Sequence, residues 1–60
     1  MPVITVEAAE LSKEQKHELV ATLTKEAAGI MKVSEHHFMV FIKENNRENI
    51  GVGGVLLADR

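Results

Sequence analysis

Pro2 is the residue whose type and position most suggest chemistry. It follows Met1 directly and precedes the β-branched residues 3–6. Proline fixes φ and, inside a chain, has no N–H, so the first residue of a strand tolerates it. Initiator methionine is commonly removed before a small residue, and Pro2 would then be a free secondary amine on a rigid ring. That amine is a base, so two interpretations of Pro2 stay open: a plain strand start or a catalytic group.

The other residue types capable of chemistry form no specific pattern. His36 and His37 are adjacent, and neighbouring strand residues point to opposite faces, which makes the pair a poor metal site. Ser12 and Ser34 are placed as helix caps, with no nucleophile motif around them. Gly51–Gly54 lacks the lysine and the helix start of a phosphate-binding loop, so a turn is predicted there. We therefore expect no metal and no cofactor.

The length and composition predict a single domain, 1–60, that associates with other subunits. A chain of 60 residues buries only about 60% of its unfolded surface. It has no cysteine for a disulfide, yet 45% of its residues are hydrophobic, and the only aromatic residues are Phe38 and Phe41. Small scaffolds without such cross-links usually oligomerise.

The charge and hydropathy patterns exclude several classes of partner. The net charge is −2 and there is no basic run, which argues against nucleic acid. No stretch approaches the ~18 consecutive apolar residues of a membrane span. The start lacks the basic region and long apolar core of a signal peptide, so we expect a cytoplasmic protein.

A long helix is predicted after a first strand, Val3–Val6. Ser12 followed three residues later by Gln15 is a capping box, which makes Ser12 the expected N-cap. Helical spacing then predicts a helix from about Lys13 to Met31 or Lys32, with the charges of Lys16 and its neighbours solvated on the exterior. The predicted apolar stripe consists of Leu19, Val20, Leu23, Ala27, Ile30 and Met31.

The residue pattern in the second half of the chain predicts a strand and a hairpin. Phe38–Ile42 is apolar on both pleat faces, as in a strand buried on both sides. A polar loop, Lys43–Asn49, leads to the glycine-rich turn, and Val55–Leu57 is predicted as a short last strand. The fold class is therefore α+β: a β-α-β unit with parallel strands plus a short C-terminal β-hairpin. One helix covers only one face of the sheet, so the other face needs another subunit.

The segments MPVITVE, LSKEQKHELV, VFIKE and NIGVGG, in this order and spacing, resemble the 4-oxalocrotonate tautomerase family over nearly the whole chain. The resemblance implies a homohexamer, a trimer of dimers, with each active site assembled from neighbouring subunits. It implies that the processed N-terminal proline, Pro2, moves a proton between oxygen and carbon of a small enol acid. Such 2-hydroxymuconate-like compounds arise in the degradation of aromatic compounds. A buried amine has a lowered pKa, and a neutral base needs no cofactor for this reaction.

The chain departs from the family at the positions that bind substrate. Leu11 and Met39 stand where members acting on dicarboxylates carry arginines, and Ile50 stands where an aromatic residue keeps the site dry. Backbone N–H groups near Ala9 are implied to hold the substrate carbonyl. Arg47, just before Ile50, is the first candidate for a replacement cation, and the alternative is a solvated loop charge.

Three functions remain open from the sequence. The leading hypothesis is an enol–keto tautomerase acting on a 2-hydroxy-2-enoate, with one carboxylate rather than two. The second is a non-catalytic partner subunit of a hetero-oligomeric assembly, and the third is a small oligomeric binding module. Relatives that hydrate haloacrylates carry a carboxylate at the position of Val52, so hydration is disfavoured.

Overall fold

A parallel pair of strands joined by a long helix forms the body of the subunit. The computed structural model describes residues 1–60. Strands β1 and β2 pair in parallel, and β3 and β4 form a separate antiparallel hairpin, which confirms the predicted fold class. The elements are β1 (Val3–Ala8), α1 (Lys13–Met31), β2 (Met39–Glu44), β3 (Gly51–Val52) and β4 (Val55–Leu56), with short 3₁₀ turns at Glu35–His37, Arg47–Asn49 and Leu57–Asp59.

Both long strands extend further into polar sequence than predicted. The register runs from the Val3–Met39 pair to the Ala8–Glu44 pair, so β2 occupies Met39–Glu44 rather than Phe38–Ile42. The Asn45 N–H then donates to the Ala8 carbonyl at 2.8 Å. Backbone hydrogen bonds between the two strands therefore continue beyond the last apolar residue. The pattern of side chains in the sequence does not show this extension.

The capping box at the start of α1 is confirmed. The Ser12 hydroxyl accepts from the Gln15 N–H at 3.1 Å, and the Gln15 side-chain oxygen accepts from the Ser12 N–H at 2.9 Å. At the other end Lys32 has φ 57° and its N–H donates to the Ala28 carbonyl, as in a left-handed C-cap. α1 is not apolar enough over its length to cross a membrane.

One face of the β1–β2 sheet is covered and the other is open. Exposure alternates along both strands, with Ile4, Val6 and Val40 half-buried beneath the helix. On the open face Met39 is 41% exposed and Phe41 is 47% exposed. The subunit alone therefore leaves one apolar surface of its central sheet uncovered.

The apolar stripe of α1 was predicted only in part. Leu19, Leu23 and Ala27 are half-buried and Ala28 is buried, but Ile30 is 80% exposed. A helix of 19 residues is about 28 Å long, whereas a six-residue strand spans about 20 Å. The helix therefore extends beyond the two strands, and its last turn has no sheet to cover.

The C-terminal hairpin turns at two glycines. Gly53 has φ 61° and Gly54 has φ 87°, the positive values that a two-residue type I′ hairpin turn requires. Val52 and Val55 pair on either side of this turn. The predicted glycine turn is confirmed, and β4 ends at Leu56, one residue earlier than expected.

Candidate active site

Pro2 lies at the amino end of the sheet, beside Met39. The Met39 N–H donates to the Pro2 carbonyl at 3.1 Å, which fixes the residue at the start of β1. Pro2 is half-buried, and Met1 in front of it is 85% exposed. Val3 and Met39, paired in register, place two apolar side chains on the open face next to Pro2. The structure thus brings together two of the predicted site residues, in largely apolar surroundings.

Two other predicted residues, Ala9 and Ile50, line one cleft at the carboxyl end of the sheet. Its volume is about 520 Å³. We call it the carboxyl-end cleft, and its complete lining is Glu7, Ala8, Ala9, Asn45, Asn49, Ile50, Gly51 and Leu57. Three smaller clefts of 280, 350 and 390 Å³ lie along α1 and contain none of the predicted site residues.

The polar residues of the carboxyl-end cleft were not anticipated from the sequence. Glu7 is the last outward-facing residue of β1, and Asn45 and Asn49 belong to a loop predicted only as polar. The Asn45 side-chain amide donates to the Glu7 carboxylate at 3.4 Å. The available signal was the charged Glu7 directly after the β-branched residues of β1, but only the folded chain shows that the loop containing Asn45 returns to it.

Glu44 holds the loop that carries Ala9. Its carboxylate accepts from the Leu11 N–H at 2.9 Å and from the Lys16 ammonium at 2.7 Å. The hydrogen bond from Lys16, with that from Leu11, keeps the pKa of Glu44 below its ordinary value. Lys16 was predicted as a solvated exterior charge. It does lie at the surface, but the prediction missed its partner Glu44, because the end of β2 lies beside the first turn of α1.

Arg47 lies next to the carboxyl-end cleft but is not part of its lining. Its guanidinium donates to the Leu57 carbonyl at 2.8 Å, which ties the loop to the C-terminal 3₁₀ turn. Leu57 in turn lines the cleft, and its N–H donates to the Ile50 carbonyl at 2.8 Å. Arg47 therefore supports the cleft wall in this arrangement, with its charge directed at a backbone carbonyl.

The histidines of the chain are not gathered into a cluster. His36 and His37 are exposed in the 3₁₀ turn before β2, and His17 is exposed on α1. No group of three or more His, Cys, Asp or Glu side chains is placed to hold a metal ion.

The two halves of the candidate site are far apart within one subunit. Pro2 precedes β1 and Ala9 follows it, so seven residue steps of extended chain separate them. At a rise of about 3.3 Å per residue the distance is roughly 20 Å or more. A small substrate does not span that length, so the two ends of one subunit do not contact the same substrate molecule.

Comparison with known protein families places the chain in a family of enzymes. A family model described as "Tautomerase enzyme" matches residues 2–60. The chain therefore belongs to the tautomerase family, and the resemblance noted in the sequence is confirmed. The comparison with curated proteins gave no match.

Solved structures share the whole fold. DmpI from Archaeoglobus fulgidus is 40% identical, over 97% of this chain and 100% of that one, with a TM-score of 0.87. The 4-oxalocrotonate tautomerase homologue TTHB242 is 33% identical, over 100% and 97% of the two chains, with a TM-score of 0.93. A heterohexamer 4-oxalocrotonate tautomerase from Chloroflexus aurantiacus J-10-fl is 27% identical, over 98% and 95%, with a TM-score of 0.83.

Proposed function

We propose that this protein is an enol–keto tautomerase that uses Pro2, freed of Met1, as its general acid and base. The substrate is a small 2-hydroxy-2-enoate or 2-hydroxydienoate. The proline nitrogen takes the proton of the 2-hydroxyl, the electrons of the enol move toward carbon, and the same nitrogen returns a proton to that carbon. One O–H bond breaks, one C–H bond forms and nothing is oxidised, so the reaction is balanced without a cofactor.

The observation that carries this proposal is the placement of Pro2 in a tautomerase fold. Pro2 is half-buried, anchored through its carbonyl by the Met39 N–H at 3.1 Å and bordered by apolar side chains. Desolvation disfavours the charged form of an amine and lowers its pKa, which suits a base that must be neutral when substrate binds. The rigid ring and the fixed strand start hold the lone pair in one direction.

Assembly of several copies of this chain completes the proposed site. Pro2 and Met39 lie at one end of the sheet, and Ala9 and Ile50 lie in the carboxyl-end cleft, roughly 20 Å or more away. Only one of the 60 residues is buried in the isolated subunit, and the open sheet face includes Phe41. The heterohexameric relative supports six as the subunit number. The arrangement as a trimer of dimers is what the family resemblance implies.

In the assembled site, the chain around Ala9 contributes backbone N–H groups and Ile50 contributes an apolar wall. Arg47 keeps the wall in place through its hydrogen bond to the Leu57 carbonyl. The cytoplasmic location and the role in the degradation of aromatic compounds stay predictions from the sequence, to be tested by cell fractionation and by growth of a deletion strain on aromatic carbon sources.

The test compares two samples of the same chain. One has Pro2 as its N-terminus, verified by intact mass, and the other retains Met1, so that the nitrogen is an amide. Ketonisation of 2-hydroxydienoates is followed by ultraviolet absorbance. Because general acid–base catalysis contributes about 10²–10⁴-fold, we expect the Met1-retaining sample to lose at least about 100-fold in kcat.

The control is that both samples show the same thermal unfolding and the same sedimentation, so that a difference in rate is not a difference in folding. Equal rates would mean that another residue moves the proton. Absence of turnover in the sample that begins with Pro2, for substrates with one and with two carboxylates, would overturn the proposed activity.

A second candidate is a partner subunit that completes the site of a different chain. Leu11 and Met39 offer no charge for a substrate carboxylate, and the relative from Chloroflexus aurantiacus is a heterohexamer. This alternative predicts that the purified chain is inactive alone and gains activity when refolded with a second tautomerase-family chain of the same genome. Activity of the chain by itself would exclude it.

A further inference from the structure

The carboxyl-end cleft carries one negative charge and no positive one. Glu7 supplies a carboxylate, and the side chains of Asn45 and Asn49 are uncharged amides. The rest of the lining is glycine or apolar, and it includes Ile50 and Leu57. No lysine, arginine or histidine lines the cleft.

The cationic side chains around the cleft either bind other groups or lie outside its lining. Arg47 donates to the Leu57 carbonyl at 2.8 Å, and Lys16 is paired with Glu44 at 2.7 Å. Lys43 is the register partner of Glu7 on β2, but no ion pair joins the two side chains within 4.0 Å. The Glu7 carboxylate therefore accepts only the 3.4 Å hydrogen bond from Asn45 and keeps its negative charge exposed to whatever enters.

We propose that the carboxyl-end cleft receives the uncharged tail of an enol with a single carboxylate and that Glu7 excludes substrates with a second carboxylate. This inference rests on the proposed tautomerase function. A second carboxylate placed in the cleft meets a like charge with no cation in the lining to offset it, and like charges in a partly enclosed site repel. A methyl or vinyl tail meets Ala8, Ile50 and Leu57 instead, and loses nothing by leaving water.

Two enols of equal length test this assignment. 2-Hydroxymuconate has a carboxylate at its far end, and 2-hydroxy-2,4-hexadienoate has a methyl group there. With the protein that begins at Pro2, we expect kcat/KM to be on the order of tenfold or more higher for the monocarboxylate, the effect of one unit charge at about 5–6 Å in a solvated cleft.

Glu7→Gln keeps the size and the bond-accepting oxygen of the side chain and removes its charge. We expect this variant to raise kcat/KM for the dicarboxylate, relative to kcat/KM for the monocarboxylate, by on the order of tenfold. Glu26→Gln is the matched control, because it makes the same change of net charge at an exposed position on α1. It should leave the ratio of the two substrates unchanged.

Ionic strength provides a second measurement that needs no variant. The repulsion is screened by salt, so the preference for the monocarboxylate should shrink between about 0.02 and 0.5 M NaCl in the unaltered protein.

The results separate the proposed tautomerase function from the proposed role of Glu7. If neither enol is turned over, the tautomerase function fails and this inference fails with it. If both are turned over and the dicarboxylate is equal or better, or if Glu7→Gln leaves the ratio as it was, only the role of Glu7 is overturned.

Discussion

Replacement of Phe41 by alanine tests whether the open face of the β1–β2 sheet is a subunit contact. Phe41 lies in the middle of β2, pairs in register with Thr5 and projects from the face opposite α1. Its side chain is 47% exposed although it belongs to the central sheet. The phenyl ring contributes its full hydrophobic stabilisation only when another surface covers it and removes it from water.

The magnitude follows from the area that is still exposed. An aromatic side chain presents about 150–250 Å² in total, so the exposed fraction of 47% corresponds to about 70–120 Å². At about 25 cal/mol per Å², covering this area stabilises the assembly by about 2–3 kcal/mol per ring. Loss of one ring per subunit should therefore weaken each contact by roughly 30- to 150-fold in its association constant.

The assay is sedimentation velocity over a dilution series. Unaltered protein should remain assembled at concentrations where Phe41→Ala dissociates, and the enol–keto activity of Phe41→Ala should fall as it is diluted. Val20→Ala is the control, since Val20 is 38% exposed on α1 rather than on the sheet. An unaltered association constant for Phe41→Ala would refute the reasoning, as would unaltered protein that sediments as a monomer at every concentration.

Four further predictions concern thermal unfolding of the folded chain. Gly54→Ala should lower the free energy of unfolding by about 1–2 kcal/mol, because Gly54 has φ +87° and a Cβ is strained there although it meets no atom. Gly29→Ala, inside α1 and also free of contacts, should raise it by about 1 kcal/mol. Lys32→Gly should raise it by about 0.5–1 kcal/mol, because Lys32 caps α1 at φ 57°. The pKa of Glu44 is lowered in the folded state, so its stabilising effect is present above the ordinary pKa of 4.5 and is lost as the pH falls through the lower pKa. Tm should therefore fall more steeply with acidification in the unaltered protein than in Glu44→Gln.

Each of these predictions has an outcome that contradicts its cause. A Gly54→Ala variant as stable as Gly29→Ala would mean that the hairpin turn does not need positive φ. A destabilised Lys32→Gly would mean that the lysine side chain, rather than its backbone, matters at the cap. Parallel pH profiles for Glu44→Gln and the unaltered protein would mean that the bonds to Leu11 and Lys16 contribute nothing to stability.

The features predicted correctly from the sequence depend on residues close together in the chain. The Ser12 cap needs only Gln15 three residues later, and the hairpin turn needs only Gly53 and Gly54. These choices follow from steric limits on φ and from hydrogen bonds within one turn, so a short window of sequence contains them. The pairing of β1 with β2 followed from the strand–helix–strand order alone.

The features that sequence reasoning missed join residues distant in the chain. Glu44 binds Lys16 across 28 positions, and the Asn45 amide binds Glu7 across 38. Nothing local to either residue indicates its partner, because both contacts exist only where β2 ends beside the start of α1 and the end of β1. The carboxyl-end cleft arises in the same way.

The sequence by itself determined the order of the elements, the caps and turns, the amphipathic helix and the presence of Pro2 behind Met1. The tertiary structure alone decided that Pro2 lies beside Met39, that Ala9 and Ile50 share a cleft with Glu7, and that these two ends are roughly 20 Å or more apart. The physical reason is that local conformation depends on short-range sterics and hydrogen bonds. The distances between the residues of a site depend instead on strand register and helix packing.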